Sequence, residues 1–171
     1  MAFSFKVIII GQGGAGKTAL CIRATQNTFS FDYKLTIGTG FFTYALKSLK
    51  KPVYLQIWDF AGQDQFHTVL GSFTTGTNGT LLVFDLSDLE SVISLEKIWL
   101  PFIVKNLTKK PVFLIGTKMD IDKREVKDDL IEELKKRVPN LVFYMPTSAK
   151  TGENVVNLFH RVGKHLVDSS S

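Results

Sequence analysis

A glycine-rich segment near the start of the chain has the composition and spacing of a phosphate-binding loop. Residues 11–18 read Gly-Gln-Gly-Gly-Ala-Gly-Lys-Thr and fit the pattern G-x-x-x-x-G-K-[ST], between an apolar run and a helical pattern. Its glycines let backbone N–H groups converge on phosphate oxygens, and the N-terminus of the following helix adds positive potential. Lys17 is placed to reach the β- and γ-phosphates, and the Thr18 hydroxyl to ligate Mg²⁺. The segment therefore predicts a nucleoside triphosphate site, the alternative being a turn that holds no ligand.

Short apolar strands and amphipathic helices alternate around this loop and would position it. Strands are predicted at residues 5–10, 39–49, 53–59, 80–85, 111–116 and 141–145, and helices at 17–26, 89–107, 125–138 and 153–167. The runs 80–85 and 111–116 have fully apolar centres, as in strands covered on both faces. Because such alternation builds right-handed βαβ units, the pattern predicts a doubly wound α/β fold with a mostly parallel sheet.

Composition limits the class of protein further. The 171 residues are 44% hydrophobic and 22% charged, which is typical of one globular domain, here residues 1–171. Apolar runs such as residues 7–10 fall far short of the ~18 residues of a membrane span, and the single cysteine, Cys21, excludes an internal disulfide. The net charge of +5 comes from basic residues interleaved with acidic ones, unlike the basic stripe of a nucleic-acid interface. We expect a soluble cytoplasmic domain that does not bind nucleic acid.

Four more short segments fall in a recognisable order along the chain. They are Thr36-Ile37-Gly38, Asp59-Phe60-Ala61-Gly62-Gln63, Thr117-Lys118-Met119-Asp120 and Thr147-Ser148-Ala149-Lys150. The last three follow predicted strands, and loops at the carboxyl ends of parallel strands converge into one crevice. Together with the phosphate-binding loop, these segments resemble the Ras superfamily of small GTPases over nearly the whole chain. The resemblance implies a P-loop NTPase G domain with a six-stranded, mostly parallel sheet flanked by about five helices.

The resemblance implies GTP and GDP as ligands, read through the guanine base. Asp120 would accept hydrogen bonds from guanine N1–H and N2–H₂, a donor pair that adenine lacks. Lys118 would pack its stem on the base, the Ala149 N–H would reach guanine O6, and Phe29 would lie edge-on to the ring. The full set of expected nucleotide-binding residues is Gly13, Gly14, Ala15, Gly16, Lys17, Thr18, Ala19, Phe29, Tyr33, Thr36, Gly62, Thr117, Lys118, Asp120, Ser148, Ala149 and Lys150.

The same resemblance implies a magnesium site and slow GTP hydrolysis. Thr18 and Thr36 would ligate Mg²⁺ directly, and Asp59 through a water. Gln63 would orient the attacking water for in-line displacement. The expected catalytic residues are Gln63, Lys17 and Gly62. No arginine lies between Arg23 and Arg124, so the cation that stabilises charge on the transferring phosphoryl group is expected from an activating protein.

Residues 30–40 and 60–75 resemble the two switch segments of the superfamily, which the γ-phosphate holds in place. Tyr33 would close over the phosphates, and Ser148 and Lys150 would brace the base loop. The switch segments would bind effectors, an exchange factor and a GTPase-activating protein. Phe41, Trp58 and Phe73 fall where the Rab branch places an exposed aromatic triad that effectors contact, and core packing is the alternative for these three residues.

Within the superfamily, residues 36–41 and 58–63 are most similar to the Rab branch, whose setting is vesicle trafficking. Thr117 stands where most family members carry an asparagine in the base-reading loop, and the Rho branch resembles this chain there. Phe60 replaces a common threonine. These departures keep open a nucleotide-binding module that does not hydrolyse GTP. A P-loop kinase or ATPase is a further alternative, but the sequence carries no arginine-bearing lid or acceptor domain. Without a C-terminal cysteine, membrane attachment would need a lipidated tail beyond residue 171.

Overall fold

The computed structural model describes residues 1–47, 50–62 and 67–171, the last range without the side chains of His67 and Thr68. Its six strands are β1 (Phe3–Gly11), β2 (Thr39–Leu46), β3 (Val53–Phe60), β4 (Thr77–Asp85), β5 (Val112–Thr117) and β6 (Leu141–Pro146). They form one sheet in the order β2-β3-β1-β4-β5-β6. The β2–β3 pair is antiparallel and the other four pairs are parallel. The predicted mostly parallel, six-stranded sheet is confirmed.

The helices cover the four stretches that the sequence predicts and add one short helix after β3. They are α1 (Lys17–Gln26), the short α2 (His67–Leu70), α3 (Leu89–Ser94), α4 (Leu100–Asn106), α5 (Asp128–Arg137) and α6 (Val155–Asp168). A 3₁₀ turn over Gly71–Phe73 continues α2, and a π-helical turn over Leu95–Trp99 joins α3 to α4 in one continuous helix. None of the described helices has both the length and the apolar character of a membrane span.

Alternation along β1 explains why helices cover both faces of the sheet. Successive side chains of a strand point to opposite faces. Val7 and Ile9 join the core beneath α1 and α6, whereas Ile8 and Ile10 join the core beneath α3, α4 and α5. All four side chains are fully buried. The central strand therefore has no solvent face, and its chemistry is confined to its carboxyl end, where the phosphate-binding loop begins.

Several predicted boundaries differ from the structure, and hydrogen bonding explains two of them. The strand predicted over residues 39–49 ends at Leu46, because its antiparallel partner begins at Val53, which pairs with Leu46. The helix predicted over residues 125–138 begins at Asp128, since the N–H groups of Glu125 and Val126 both donate to the Leu86 carbonyl. These contacts tie the segment before α5 to the loop after β4. Residues 48–49 of the predicted strand lie outside the described residues.

Candidate nucleotide-binding site

The largest concentration of candidate residues lines a cleft at the carboxyl ends of the parallel strands. Its lining consists of Gly13, Gly14, Gly16, Lys17, Thr18, Ala19, Phe29, Ser30, Phe31, Tyr33, Lys34, Leu35, Thr36, Gly62 and Lys118. The phosphate-binding loop, the segment before β2, the segment after β3 and the loop after β5 thus meet at one place, as crevices in open α/β sheets do. The other predicted nucleotide-binding residues do not line this cleft: Ala15, Thr117, Asp120, Ser148, Ala149 and Lys150.

Lys17 is the buried cation of the cleft. Its side chain is 5% exposed, and its Nζ donates to the carbonyl oxygens of Gly11 (3.0 Å) and Gln12 (2.9 Å). Burial lowers the pKa of Lys17 to about 8, and the nearby Asp59 carboxylate opposes that shift. Gly14 and Gly16 have positive φ (80° and 91°), which side-chain-bearing residues rarely adopt. The loop therefore curls around the lysine in the manner that a phosphate cradle requires.

Three oxygen-bearing side chains from three segments meet beside Lys17. Thr18 Oγ1 donates to Asp59 Oδ2 (2.5 Å) and lies 2.6 Å from Thr36 Oγ1, which is itself 3.5 Å from Asp59 Oδ2. Asp59 is fully buried, and its other oxygen, Oδ1, has no hydrogen-bond partner among the described residues. Burial raises the pKa of Asp59, against hydrogen bonds from Thr18 and Thr36 and the Lys17 charge.

This cluster fits Mg²⁺. Its hydroxyl and carboxylate oxygens are the hard ligands that the ion prefers, and the orphaned Asp59 Oδ1 is a buried acceptor that a metal-bound water would satisfy. The sequence prediction grouped the same three residues, Thr18, Thr36 and Asp59.

Gly62 packs directly against the phosphate-binding loop. A Cβ atom placed on Gly62 would lie 2.2 Å from the Gly13 nitrogen and 2.4 Å from the Gly11 oxygen, so only glycine fits there. The preceding residue, Ala61, donates its N–H to the Gly38 carbonyl (2.9 Å). The segments before β2 and after β3 are thus joined to each other as well as to the loop. The catalytic candidate Gln63 lies outside the described residues.

The last residue of β5 and the first residue after it contact the phosphate-binding loop. Thr117 Oγ1 donates to the Ala15 carbonyl (2.5 Å), and Lys118 Nζ donates to the Gly14 carbonyl (3.2 Å). Lys118 Nζ also forms an ion pair with Asp85 Oδ2 (2.6 Å), which is buried at the end of β4. The base-loop candidates therefore brace the phosphate side of the site.

The two base-loop segments are also joined to each other. The buried Ser148 hydroxyl donates to Asp120 Oδ1 (2.7 Å), and the Met119 N–H donates to the Thr147 carbonyl (3.0 Å). The bond from Ser148 leaves the second oxygen of Asp120 available for donors on a base. Ser148 therefore orients the carboxylate on which guanine selection would depend.

Arg23, which the sequence prediction does not include, holds the loop that carries Ala149 and Lys150. Its Nε donates to the Ala149 carbonyl (2.6 Å) and its Nη2 to the Lys150 carbonyl (2.7 Å). Its Nη1 donates to the backbone and side-chain oxygens of Asn27, both at 3.2 Å. The sequence signal is a single basic residue in the last turn of α1, which indicates carbonyl capping but not which carbonyls. Arg23 links the end of α1 to the last base loop.

The aromatic candidates before β2 contact one another. The Phe29 ring meets Tyr33 edge-on, with centroids 6.1 Å apart, and meets Phe31 edge-on at 5.0 Å. Lys150 Nζ lies 5.4 Å from the centroid of Phe31, which is 80% exposed. Lys150 therefore reaches across to this segment, in addition to its backbone contact with Arg23.

Phe41, Trp58 and Phe73 form one aromatic cluster at the surface. Trp58 lies between the other two, with ring centroids 4.9 Å from Phe41 and 6.2 Å from Phe73. Phe41 is 64% exposed and Phe73 39% exposed. Lys6 Nζ lies 3.7 Å from the Trp58 ring centroid and donates to the carbonyls of Phe73 (2.5 Å) and Thr75 (2.9 Å). Core packing does not describe Phe41, whose ring is mostly in solvent.

Fold and cleft together define a P-loop nucleotide-binding α/β protein. A model of the Ras family matches residues 6–168. The chain is 36% identical over 168 residues to the Ras-related protein Rab-1 of Theileria annulata, covering 97% of this chain and 76% of that protein. It is 35% identical over 171 residues to the GTP-binding protein YPT1 of Saccharomyces cerevisiae (99% and 82%), and 34% identical over 170 residues to human Ras-related protein Rab-30 (98% and 82%).

The chain belongs to the Ras family of small GTPases and is Rab-like within it. The resemblance that the five sequence segments indicate is thereby confirmed. The roles of the individual site residues stay predictions.

Proposed function

We propose that this Ras-family chain binds GTP and GDP with Mg²⁺, hydrolyses GTP slowly, and changes the conformation of residues 30–40 and 60–75 to control partner binding. The observation that carries the proposal is the meeting of Thr18, Thr36 and Asp59. Thr18 belongs to the phosphate-binding loop and Thr36 to the first switch segment. Asp59 directly precedes the second switch segment. A ligand that engages all three would couple its own presence to both segments.

The residues around the phosphates would act by position and charge. Mg²⁺, held by Thr18 and Thr36 and through water by Asp59, would neutralise charge on the β- and γ-phosphates. Lys17 would exchange its contacts with the Gly11 and Gln12 carbonyls for phosphate oxygens. The Gly62 N–H would donate to the γ-phosphate, and Gln63 would orient the attacking water. Loss of the γ-phosphate would then release Thr36 and Gly62 together.

Slow turnover is expected because the chain places no arginine of its own where charge develops on the transferring phosphoryl group. No arginine lies between Arg23 and Arg124, and Arg23 itself is occupied with carbonyl oxygens of the last base loop. An arginine inserted by a GTPase-activating protein would supply the missing charge, an effect worth about 10³–10⁵ in rate in such enzymes. Effectors and regulators would dock on the switch segments and on the cluster of Phe41, Trp58 and Phe73.

The nucleotide that copurifies with the protein tests the proposal. Denaturation and chromatographic separation of the released material should give one equivalent of GDP. Intact GTP would favour a module that binds without hydrolysis, and an adenine nucleotide would favour a P-loop kinase or ATPase.

Single-turnover hydrolysis then tests catalysis. Gln63→Leu should reduce the rate by at least about tenfold with little change in GTP affinity, while Gln56→Leu, away from the cleft on β3, should change neither. Equal loss of binding and hydrolysis in Gln63→Leu would show that its role is misassigned. Thr18→Asn should weaken GTP and Mg²⁺ binding more than GDP binding.

A further inference from the structure

The Thr117 hydroxyl is directed toward the phosphate-binding loop and β4. The side chain is 4% exposed at the end of β5. Its Oγ1 donates to the Ala15 carbonyl at 2.5 Å and lies 3.1 Å from the Phe84 carbonyl. A threonine hydroxyl carries one proton. Two backbone carbonyls, one in the phosphate-binding loop and one in β4, already surround that proton.

Close packing fixes this arrangement. Ala15 is 2% exposed, and a Cβ atom placed on Gly16 would lie 3.5 Å from Thr117 Oγ1. The hydroxyl is therefore held between the loop and the sheet. Turning it toward the cleft would leave the Ala15 carbonyl without this donor in a buried setting, which is costly.

The base of a guanine nucleotide presents both donors and acceptors. Its Watson–Crick edge carries N1–H and N2–H₂, which suit the Asp120 carboxylate, and its other edge carries the acceptors O6 and N7. An acceptor needs a donor, and Thr117 has no second proton to give. The neighbouring donor, Lys118 Nζ, is engaged by Asp85 and the Gly14 carbonyl.

From these contacts we infer that Thr117 is a positioning residue for the phosphate-binding loop and leaves guanine N7 unread. The inference rests on the proposed function, since it concerns how the same site selects its nucleotide. Selection then falls on the Watson–Crick edge through Asp120. The site accepts purine nucleotides in which N7 is replaced by C–H and rejects those that lack the 2-amino group.

Competition binding of four diphosphates to the nucleotide-free protein tests this inference. GDP and 7-deaza-GDP should bind within about threefold of each other, because no hydrogen bond is lost. IDP, which lacks the 2-amino group, should bind at least about tenfold more weakly, and ADP more weakly still. A loss of about tenfold or more for 7-deaza-GDP would overturn the inference while leaving the proposed function intact. Failure to bind GDP at all would overturn the proposed function and the inference with it.

Two variants separate the positioning role from a base contact. Thr117→Val keeps the shape but removes the hydroxyl, and should weaken GDP and 7-deaza-GDP equally, by about tenfold. Thr117→Ser keeps the hydroxyl and should restore most of that affinity. An unchanged GDP affinity in Thr117→Val, or a changed ratio between the two nucleotides, contradicts the inference. Thermal unfolding of each variant identifies any loss of affinity that is caused by misfolding. The ratio of the GDP and 7-deaza-GDP affinities is also measured in the unmodified protein, where misfolding of a variant plays no part.

Discussion

The two sides of the cleft are held in different ways. On the base side, Thr117 and Lys118 bond to the phosphate-binding loop, Ser148 bonds to Asp120, and Arg23 holds the last base loop. These are contacts between elements that the sheet already fixes. On the switch side, residues 30–38 form no helix or strand, and Phe31 and Ile37 are each 80% exposed. On this side Thr36 contacts Thr18 and Asp59, and Gly62 packs against the phosphate-binding loop. The bond from Ala61 to Gly38 joins the two switch segments to each other.

The difference indicates that the two sides of the cleft have different roles. The base side is built by the fold, so its geometry should be the same with GTP and GDP. The switch side depends on a few polar contacts that surround the expected position of Mg²⁺ and the γ-phosphate, so its geometry should follow the ligand. Changes on the base side should therefore alter affinity, and changes on the switch side should alter hydrolysis and partner binding.

Asp120→Asn should produce the largest effect, on the base side. The amide would present donors to the donor edge of guanine and leave a polar mismatch, so GDP affinity should fall by about 1,000-fold or more. Isothermal titration calorimetry measures the loss. Asp122→Asn, an exposed neighbour, is the matched control and should bind as the unmodified protein does. An affinity within tenfold would mean that the base side does not select the nucleotide.

Gly62→Ala should break the switch side while sparing the base side. The added Cβ would lie within 2.4 Å of the phosphate-binding loop, so residues 61–62 could not dock there. We expect single-turnover hydrolysis to fall by about 100-fold, the loss typical of a removed transition-state donor. GDP affinity of the same variant serves as the internal control and should change less than threefold. A matching loss of GDP affinity would remove the distinction between the two sides.

Arg23→Met should test the base side alone, because the side-chain hydrogen bonds of Arg23 to described residues go to Ala149, Lys150 and Asn27. Removing its hydrogen bonds to the Ala149 and Lys150 carbonyls should speed GDP release about five- to tenfold without changing the hydrolysis rate. Stopped-flow release of a fluorescent GDP gives the rate. Arg137→Met, which removes an ion pair with Glu96 on the surface, is the control. A slower hydrolysis step in Arg23→Met would assign Arg23 to both sides.

Lys6→Met should have the smallest effect. It removes two hydrogen bonds to the carbonyls of Phe73 and Thr75 at the end of the second switch segment. Amide hydrogen exchange should quicken over residues 71–76 and stay unchanged over residues 112–117, while global stability falls by about 1 kcal/mol. Quicker exchange in both ranges would show that Lys6 supports the sheet rather than this segment.

Local patterns predicted most of the fold and the gathering of many candidate residues at one cleft. The structure of residues 11–18, β4 and β5 depends on a few neighbouring residues. Hydrophobic periodicity and composition are therefore enough to predict these elements. Boundaries were less predictable where distant backbone decides them, as Leu86 does for the start of α5.

The resemblance grouped the remote residues Thr18, Thr36 and Asp59, but other long-range contacts could not be predicted from the sequence. The bond from Thr117 to Ala15 joins residues 102 positions apart, and that from Arg23 to Ala149 joins residues 126 positions apart. The type of a side chain shows that it can donate a hydrogen bond, but it does not show which distant carbonyl accepts that bond. The need for glycine at position 62 likewise comes from a close approach of two backbones, which composition does not reveal.

The placement of the two tryptophans gives the chain an intrinsic optical reporter. Trp99 is fully buried, whereas Trp58 is half-buried and lies beneath the Lys6 amine. Emission from Trp58 should therefore be red-shifted relative to Trp99 and open to aqueous quenchers. The same amine holds the Phe73 and Thr75 carbonyls, so any rearrangement of that segment moves a positive charge relative to the indole. If nucleotide exchange moves this segment as proposed, the native tryptophan fluorescence of the protein should report the exchange without an attached dye.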